Sequence, residues 1–353
     1  MAKKKTYYNI ENLLKTNARY MILLGQRANG KSYQVKLHAL KDAYHNDKKF
    51  IYLRRWQLDI KQNNVTSYLD DMPILDITEG NYVGVIAYQG SIYFYNIDEE
   101  HENRIVRGKE IGRYLALNED ERYKSQVFKG YDKIIYEEFI TDNLYLDNEC
   151  RRLMNLVSTI LRNDSGTVFL VGNLLSRLCP YFSEWCLTGT LKQKPGTIEI
   201  YHHHMDDAVI DIAVEYCANA DTQNTMFFGK AARMIVSGEW DTMDLPHLPG
   251  KQEDYECVYK VLFKYQEFRF MLNLLVHDSG GKICFIYPHS GKTKVDRIIQ
   301  DEIDVNPLIN SRLDPRRKPE AHILDCFRFG KVAYSDNLTG TDFKHVVDHF
   351  RIM

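Results

Sequence analysis

The stretch Gly25-Gln26-Arg27-Ala28-Asn29-Gly30-Lys31-Ser32 decides how this sequence folds. It fits the pattern G-x-x-x-x-G-K-[ST], which is typical of the phosphate-binding loop of nucleoside triphosphatases. Residues 20–24 before it are apolar or aromatic and predict a buried strand. Residues 33–44 after it carry such side chains at i, i+4, i+7 and i+11, which predicts an amphipathic helix. Backbone N–H groups and the positive helix end would then converge on phosphates.

The last two residues of this loop have specific chemical roles. Lys31 is expected to reach the β- and γ-phosphates of ATP, and the Ser32 hydroxyl is expected to ligate Mg²⁺. A glycine-rich turn that matches the pattern by chance is the alternative, and the flanking strand and helix argue against it. The predicted ATP-binding residues of the loop are Gly25, Gln26, Arg27, Ala28, Asn29, Gly30, Lys31 and Ser32.

A second informative stretch, residues 133–138, is an apolar strand that ends in Glu137 and Glu138. This is the pattern of the metal-binding Walker B strand. The first carboxylate would hold Mg²⁺, through water or through Ser32, and the second would polarise the attacking water. The first acid is usually aspartate, and the extra methylene of Glu137 leaves open whether its contact with the metal is direct or bridged by water.

Two further polar residues end predicted strands. Arg54 follows the apolar residues 50–53, at the carboxyl edge where α/β sheets bind ligands. It could act near the phosphates, couple to a neighbouring subunit or belong to a solvated edge. Asn173 ends the apolar strand 167–171, where a polar residue commonly senses the γ-phosphate and orients the water.

Arg162 ends a helix predicted over residues 147–163. A cation at that position complements the helix dipole, and the residues alone favour this structural interpretation. The alternative is an arginine finger that reaches into the next subunit.

Composition limits the class of protein. The chain has 353 residues, which favours two domains, and its formal net charge of −2 argues against a surface wholly coated by nucleic acid. The seven cysteines contain no C-x-x-C pair, so neither a zinc site nor a disulfide framework is indicated, which suits a reducing cytoplasm. The lysines at positions 3–5 are not followed by the apolar core of a signal peptide. No apolar run approaches the ~18 residues of a membrane span.

The remaining segments suggest the domain organisation. Residues 98–124 are mixed and polar and predict a surface excursion, after which Lys124 and Lys129 could face DNA, a neighbouring subunit or solvent. Residues 206–218 predict a helix with acids at its start. Eleven acidic and only three basic residues between positions 202 and 256 make a poor DNA-facing surface. Pro246, Pro249 and Gly250 mark a domain boundary, and three predicted strands beyond it form a meander.

Five motifs together resemble the DNA-packaging ATPase of small podophages of the Picovirinae or Salasmaviridae type. The resemblance is clearest over residues 1–200 and stays collinear through residues 255–287. The motifs that carry it are residues 25–32, 51–55, 134–140, 161–163 and 172–173.

The resemblance implies a fold and a domain division. The fold is α/β, a RecA-like P-loop ATPase of the additional-strand, catalytic-glutamate class, with an α+β RNase H-like C-terminal domain. The expected domains are an ATPase domain at 1–204, an acidic linker or lid at 205–250 and a vestigial nuclease-like domain without its active site at 251–353.

The resemblance also implies roles for single residues. Glu137 becomes the Walker B acid and Glu138 the catalytic glutamate. Arg54 matches an arginine that couples nucleotide state to subunit motion, and Asn173 matches the sensor position. Arg162 matches a trans-acting finger, which reverses the preference for the dipole interpretation.

The implied function is an ATP- and Mg²⁺-dependent motor that moves double-stranded DNA into a procapsid through the portal. The resemblance implies that the chain assembles as a homo-oligomeric ring, which is pentameric in the family. In the best-known members a packaging RNA is a further partner. No membrane is expected as a partner. It is expected in the host cytoplasm, transiently at the portal vertex, and not in the mature virion.

Two other functions stay open. A helicase-like or partitioning P-loop ATPase acting on another nucleic-acid or protein substrate would carry the same loop and acids. A nucleotide-gated assembly factor would bind ATP and barely hydrolyse it, and the presence of Glu138 beside the metal acid argues against this reading.

Overall fold

The computed structural model describes residues 7–98, 100–101, 104–162, 166–205, 208–218, 240–300 and 309–350. The chain forms two compact units. The first comprises Met1–Leu175 and Pro180–Trp240, and the second comprises Ser176–Cys179 and Asp241–Met353. No helix within the described ranges is long and apolar enough to cross a membrane.

The first unit is built on one sheet, which has nine strands within the described residues. Their order across the sheet is β3-β4-β5-β2-β6-β7-β1-β9-β8. The strands are β1 (Tyr20–Gly25), β2 (Lys49–Arg54), β3 (Gly84–Tyr88), β4 (Ser91–Asp98), β5 (Arg104–Ala116), β6 (Tyr131–Glu137), β7 (Thr167–Asn173), β8 (Thr197–Met205) and β9 (Ala208–Tyr216).

Helices connect these strands. The long helices α2 and α5 correspond to the two amphipathic helices that the sequence predicts. The helices of this unit are α1 (Glu11–Leu14), α2 (Lys31–His45), α3 (Gln62–Leu69), α4 (Ile74–Ile77), α5 (Glu149–Ile160) and α6 (Pro180–Glu184).

The strand order confirms a RecA-like core of the additional-strand class. β7 lies between β1, which leads into the phosphate loop, and β6, which carries the two acids. All three strands are parallel, so their carboxyl ends meet at one edge of the sheet. In the registers of β7, Gly25 is opposite Asn173 and Glu137 is opposite Val171.

The core of this unit explains why these strands are so apolar. Every residue of β1 is buried, as expected for a parallel strand covered on both faces. On one face α2 buries Val35, Ala39 and Leu40, which belong to the same apolar cluster as Leu23.

The surface excursion predicted at residues 98–124 is wrong in its second half. β5 pairs in parallel with β2, with Phe50 opposite Gly112. Residues 104–108 of β5 are exposed, whereas Ile111, Leu115 and Ala116 are buried. Averaged over its length the strand is therefore polar, and this average does not reveal that residues 111–116 enter the core.

The helix predicted at residues 206–218 is also wrong. β9 pairs in parallel with β1 and antiparallel with β8, and its buried residues include Ile212 and Val214. Branched side chains at alternate positions suit a pleated strand better than a helix. Asp206 and Asp207, which suggested a helix start, lie outside the described residues. The predicted division at residue 204 falls inside this β8–β9 hairpin.

Within the described residues, the second unit contains a six-stranded sheet in the order β14-β13-β10-β11-β12-β15. β10, β11 and β12 form the predicted antiparallel meander, and β13 and β14 add in parallel beside β10, as in an RNase H-like sheet. Its elements are β10 (Tyr255–Tyr265), β11 (Phe268–His277), β12 (Lys282–Pro288), β13 (Arg297–Ile299), β14 (Ile309–Asn310), α7 (Lys318–Arg328), β15 (Val332–Tyr334) and α8 (Asn337–Phe350).

Candidate active site

The predicted site residues collect at the carboxyl edge of the first sheet, with one exception. The phosphate loop follows β1, Arg54 ends β2, and Asn173 ends β7. Glu137 ends β6 and Glu138 follows it. Arg162 does not join this group.

The phosphate loop has a left-handed backbone conformation at Gly30, where its sequence pattern places a glycine. Gly30 has φ of 100° immediately before α2, a left-handed conformation that favours glycine. Lys31 is buried, and its ammonium donates to the carbonyls of Gly25 at 3.1 Å and Gln26 at 2.7 Å. It also lies 3.3 Å from the Oδ1 atoms of Asn29 and Asn173. In this conformation the Lys31 ammonium is therefore hydrogen-bonded by groups of its own loop.

The polar groups of this loop fit an anion. Burial lowers the pKa of Lys31 to about 8, because desolvation disfavours the charged ammonium. The Nδ2 atom of Asn29 is buried with no hydrogen-bond partner among the described residues. A phosphate would supply both the negative charge and the acceptor, and α2 directs its N-terminus at the same place.

Ser32 and Glu137 form the candidate Mg²⁺ site. The Ser32 hydroxyl donates to Glu137 Oε2 at 3.1 Å, and the Tyr68 hydroxyl donates to Glu137 Oε1 at 2.7 Å. Burial raises the pKa of Glu137, and the two hydrogen bonds and the charge of Lys31 oppose that rise. The glutamate therefore reaches Ser32 despite its extra methylene, and the two oxygens with the serine hydroxyl are ligand types that Mg²⁺ accepts.

Glu138 faces a small pocket rather than the interior. Its side chain is 57% exposed, and its Oε2 accepts a 2.6 Å hydrogen bond from Arg54 Nη2. Arg54 also lies 3.6 Å from Asp59. The pocket has a volume of about 330 Å³ and is lined in part by Arg27, Arg54 and Glu138. In this arrangement Arg54 holds the carboxylate that would polarise water.

Arg162 lies at the opposite edge of the sheet. It borders a cleft of about 710 Å³ that is also lined by Tyr20 and Thr167, the first residues of β1 and β7. Five steps of β1 at about 3.3 Å each separate that cleft from Gly25 by roughly 17 Å. Arg162 Nε donates to the carbonyl of Thr159 at 3.2 Å, in the last turn of α5. The dipole interpretation is therefore compatible with this geometry.

The neighbourhood of Arg162 includes the loop that carries Lys124 and Lys129. Arg162 Nη2 donates to the carbonyl of Gln126 in this loop at 3.2 Å. Both lysines are exposed, and Lys124 also pairs with Glu121 at 2.6 Å. Both lysines therefore lie within three residues of Gln126, which Arg162 contacts.

Sequence reasoning missed three groups around the site. Tyr68, whose ring stacks on Tyr52 with centroids 4.3 Å apart, holds Glu137. Arg55 and Glu149 form a buried ion pair behind Glu138. The Tyr8 hydroxyl donates to Glu215 at 2.7 Å, and the Tyr8 N–H donates to the carbonyl of Asn29 at 3.0 Å in the phosphate loop. The partners in each pair are far apart in sequence, so no local pattern predicts that they meet.

Comparison with known sequences gives a consistent group of relatives. Residues 1–247 match the family described as Podovirus DNA encapsidation protein (Gp16). The DNA packaging protein of Bacillus phage B103 is 30% identical over 257 residues, which cover 69% of this chain and 70% of that protein. The DNA packaging protein of Bacillus phage phi29 is 22% identical over 320 residues, which cover 87% and 86%.

Two solved structures share the fold over nearly the whole chain. The bacteriophage Phi-29 viral genome packaging motor assembly matches with a TM-score of 0.57 and 18% identity, covering 98% of this chain and 99% of that chain. The Phi-28 gp11 DNA packaging motor matches with a TM-score of 0.51 and 17% identity, covering 98% of both chains. At such identities the likeness establishes the fold.

Proposed function

Because the chain belongs to the podovirus DNA encapsidation protein (Gp16) family, we propose that it is the ATP-hydrolysing motor that translocates viral double-stranded DNA into a procapsid. The observation that carries the ATPase assignment is the 3.1 Å hydrogen bond between Ser32 and Glu137. It joins the phosphate loop to the acidic strand across the additional strand β7. Two motifs separated by 105 residues in sequence thus form one site.

The residues of this site divide the work of hydrolysis. Lys31 and the N–H groups of the loop bind the phosphates of ATP. Ser32 and Glu137 would hold Mg²⁺, which neutralises charge on the transferred phosphoryl group. Glu138 polarises the attacking water, and Asn173, in contact with Lys31, orients it near the γ-phosphate.

Arg54 provides a means of coupling. While its guanidinium holds Oε2 of the Glu138 carboxylate at 2.6 Å, that oxygen is occupied and is not available to orient a water molecule. Release of Glu138 by Arg54 would therefore activate the site. This supports Arg54 as the residue that couples nucleotide state to subunit motion.

The far position of Arg162 supports a ring. Arg162 borders a cleft at Tyr20, which lies roughly 17 Å along β1 from Gly25, so it would act on phosphate only if a neighbouring subunit brought a second loop to it. We infer that Arg162 is a trans-acting finger in a homo-oligomeric ring, a pentamer by family resemblance. The ring would act at the portal of the procapsid in the host cell, with a packaging RNA as a further partner, and would leave before the virion matures.

Reconstituted packaging tests this function. Purified chain, procapsids and DNA should give DNA-stimulated ATP hydrolysis and filled procapsids. Glu138→Gln keeps size and hydrogen bonding but loses the charge that polarises water, so it should retain ATP and stop both activities. Wild-type turnover in Glu138→Gln would contradict its catalytic role. Turnover that never fills procapsids would favour a helicase-like or partitioning ATPase.

A further inference from the structure

A single buried guanidinium stands behind the catalytic glutamate. Arg55 is 5% exposed and lies immediately after β2. Its Nη1 donates to the carbonyl of Glu138 at 3.2 Å, and its Nη2 donates to the carbonyl of Phe139 at 2.6 Å. Its Nε and Nη2 also donate to the two carboxylate oxygens of Glu149 at 2.8 Å and 3.0 Å. Arg55 thus joins the turn after β6 to the first residue of α5.

The backbone that Arg55 holds is strained. Glu138 has φ of 56°, in the left-handed region that a residue with a side chain uncommonly adopts. Such a conformation is unfavourable for a residue with a side chain and persists only where the surroundings fix it. Two contacts do so here, since the Glu138 N–H donates to the carbonyl of Val171 at 2.9 Å and its carbonyl accepts from Arg55. This conformation sets the direction in which the Glu138 carboxylate leaves the backbone.

Glu149 anchors Arg55 firmly. Its carboxylate is fully buried and accepts hydrogen bonds from the hydroxyls of Tyr136 at 2.8 Å and Tyr181 at 3.0 Å. The N–H of Leu146 adds a third at 2.9 Å. A buried ion pair is weak evidence for stability, because an apolar pair of similar volume often does as well. Here the ion pair fixes the orientation of the Arg55 guanidinium, whose remaining N–H groups donate to the carbonyls of Glu138 and Phe139.

We propose that Arg55 is a positioning residue for ATP hydrolysis, which holds the strained backbone of Glu138 so that its carboxylate faces the pocket, with Glu149 as the anchor. The inference rests on the proposed catalytic role of Glu138. Arg55 acts through Glu138 and is distinct from Arg54, which contacts the carboxylate itself. The two neighbouring arginines thus have separate tasks.

The substitution Arg55→Lys tests this role. Lysine keeps the charge that compensates Glu149, so the fold is retained, but one compact ammonium cannot replace the fork that reaches a carboxylate and two carbonyls. A displacement of the reacting group by 1 Å costs about 100-fold in rate, and kcat should fall by about that factor. KM for ATP and the affinity for ATP should stay unchanged, because the phosphate loop is untouched.

Arg152→Lys is the matched control. Arg152 lies on α5 and donates to the buried carboxylate of Asp120 at 2.7 Å, so the same change disturbs an arginine–carboxylate pair of this unit away from the site. Its kcat should equal that of the wild type. Wild-type kcat in folded Arg55→Lys would overturn the proposal. An equal loss of kcat in Arg152→Lys would overturn it too, because the effect would then be general to the ion pairs of this unit.

Glu138→Gln separates this inference from the proposed function. If Glu138→Gln hydrolyses ATP like the wild type, the catalytic role of Glu138 fails and the positioning role fails with it. If Glu138→Gln is inactive while Arg55→Lys is fully active, only the positioning role fails. Combining the two changes should lower the residual rate no further than Glu138→Gln alone, because both act through one carboxylate. An additive loss would overturn the proposal.

Discussion

At the residue scale, the glutamate in place of the usual aspartate at position 137 is accommodated by its neighbours. Its two oxygens are held separately, one by Ser32 and one by Tyr68. The longer side chain thus gains a second point of attachment, which restricts where the carboxylate can be. A tyrosine that orients a metal-binding carboxylate is expected to matter for metal affinity almost as much as the carboxylate.

Tyr68→Phe is therefore expected to weaken the binding of Mg²⁺ at the proposed metal site. The phenyl ring keeps its stacking on Tyr52, so only the hydrogen bond to Glu137 is lost. The Mg²⁺ concentration for half-maximal turnover should rise about 10-fold, while the affinity for ATP without metal stays unchanged. Titration of turnover with Mg²⁺ measures this. Tyr44→Phe, which removes a hydroxyl bonded to Asn81, is the control, and equal Mg²⁺ curves for both variants would contradict the prediction.

Asp342 should make the stability of the second unit depend on pH. Burial raises its pKa to about 7, with Arg177 opposing and Asp336 and Glu267 adding to the rise. The folded chain then binds this proton more tightly than the unfolded chain. Its contribution to stability is fully present below about pH 4 and is lost as pH rises through about pH 7.

Thermal unfolding at a series of pH values tests that sign. When the pH is lowered from about 8 to about 5, protonation of Asp342 should raise the Tm of the wild-type chain. Asp342→Asn has no carboxyl at this position, so its Tm should rise less over the same range. Asp325→Asn, an exposed change on α7, should keep the wild-type pH dependence. If Asp342→Asn and the wild type show parallel curves, the carboxyl does not titrate in this range.

At the element scale, the uniformly buried strands were predictable from the sequence, whereas β5, whose burial is divided along its length, was not. β1, β6 and β7 are apolar runs because a parallel strand with two covered faces needs them. β5 is exposed over residues 104–108, and buried and half-buried residues alternate over the rest of the strand, so its sequence resembles a polar loop. The same limit applies to the site. The motifs give Lys31, Ser32 and Glu137, but Tyr68 reaches Glu137 across 69 residues and Arg55 reaches Glu149 across 94.

Gly112 tests whether β5 belongs in the sheet. A Cβ atom at this position would lie 2.6 Å from the carbonyl oxygen of Phe50 on β2, closer than two strands in register allow. Gly112→Ala should therefore lower the free energy of unfolding by about 1–3 kcal/mol, as overpacking does. Gly281→Ala, where a Cβ would meet nothing within 4 Å, is the control. Equal Tm values for the two variants would contradict the parallel pairing of β5.

At the scale of the whole molecule, the two edges of the first sheet carry different groups. The carboxyl edge carries the phosphate loop and both acids, and the amino edge carries Arg162 beside its cleft. A ring in which one subunit's amino edge meets its neighbour's carboxyl edge would complete every site with a residue from the next chain. Such an arrangement makes hydrolysis depend on assembly.

Mixed rings test this arrangement. Arg162→Ala subunits still bind ATP, and Lys31→Ala subunits keep the finger. Each variant alone should lose most of its activity, since a finger contributes about 10³–10⁵ in rate where it is measured. Mixing them should restore part of the turnover, because a Lys31→Ala subunit donates Arg162 to an intact site. If mixed rings form and restore nothing, the trans assignment is wrong.

The second unit has the strand order of an RNase H-like fold, and we expect it to lack nuclease activity. Two-metal cleavage needs carboxylates that converge on ions about 3.5–4 Å apart. Glu320 is buried beside β10, but it accepts hydrogen bonds from the Tyr259 hydroxyl at 3.0 Å and the Asp314 N–H at 2.6 Å. Arg297 lies 3.5 Å from it and supplies the positive charge. The Glu320 carboxylate is thus already engaged by an arginine and by two hydrogen-bond donors of the chain.

Asp296 and Asp301 are the first two acidic residues after β12 in the sequence. Asp296 accepts a hydrogen bond from the Lys260 N–H at 2.9 Å, which ties it to the backbone of β10. Asp301, the next acidic residue along the chain, lies outside the described residues. Incubation of the full chain with supercoiled plasmid and Mn²⁺, the more permissive metal, should leave the plasmid intact. Nicking that disappears in Asp296→Asn or Asp301→Asn would identify a working nuclease centre, and the unit would then cut DNA rather than dock or bind it.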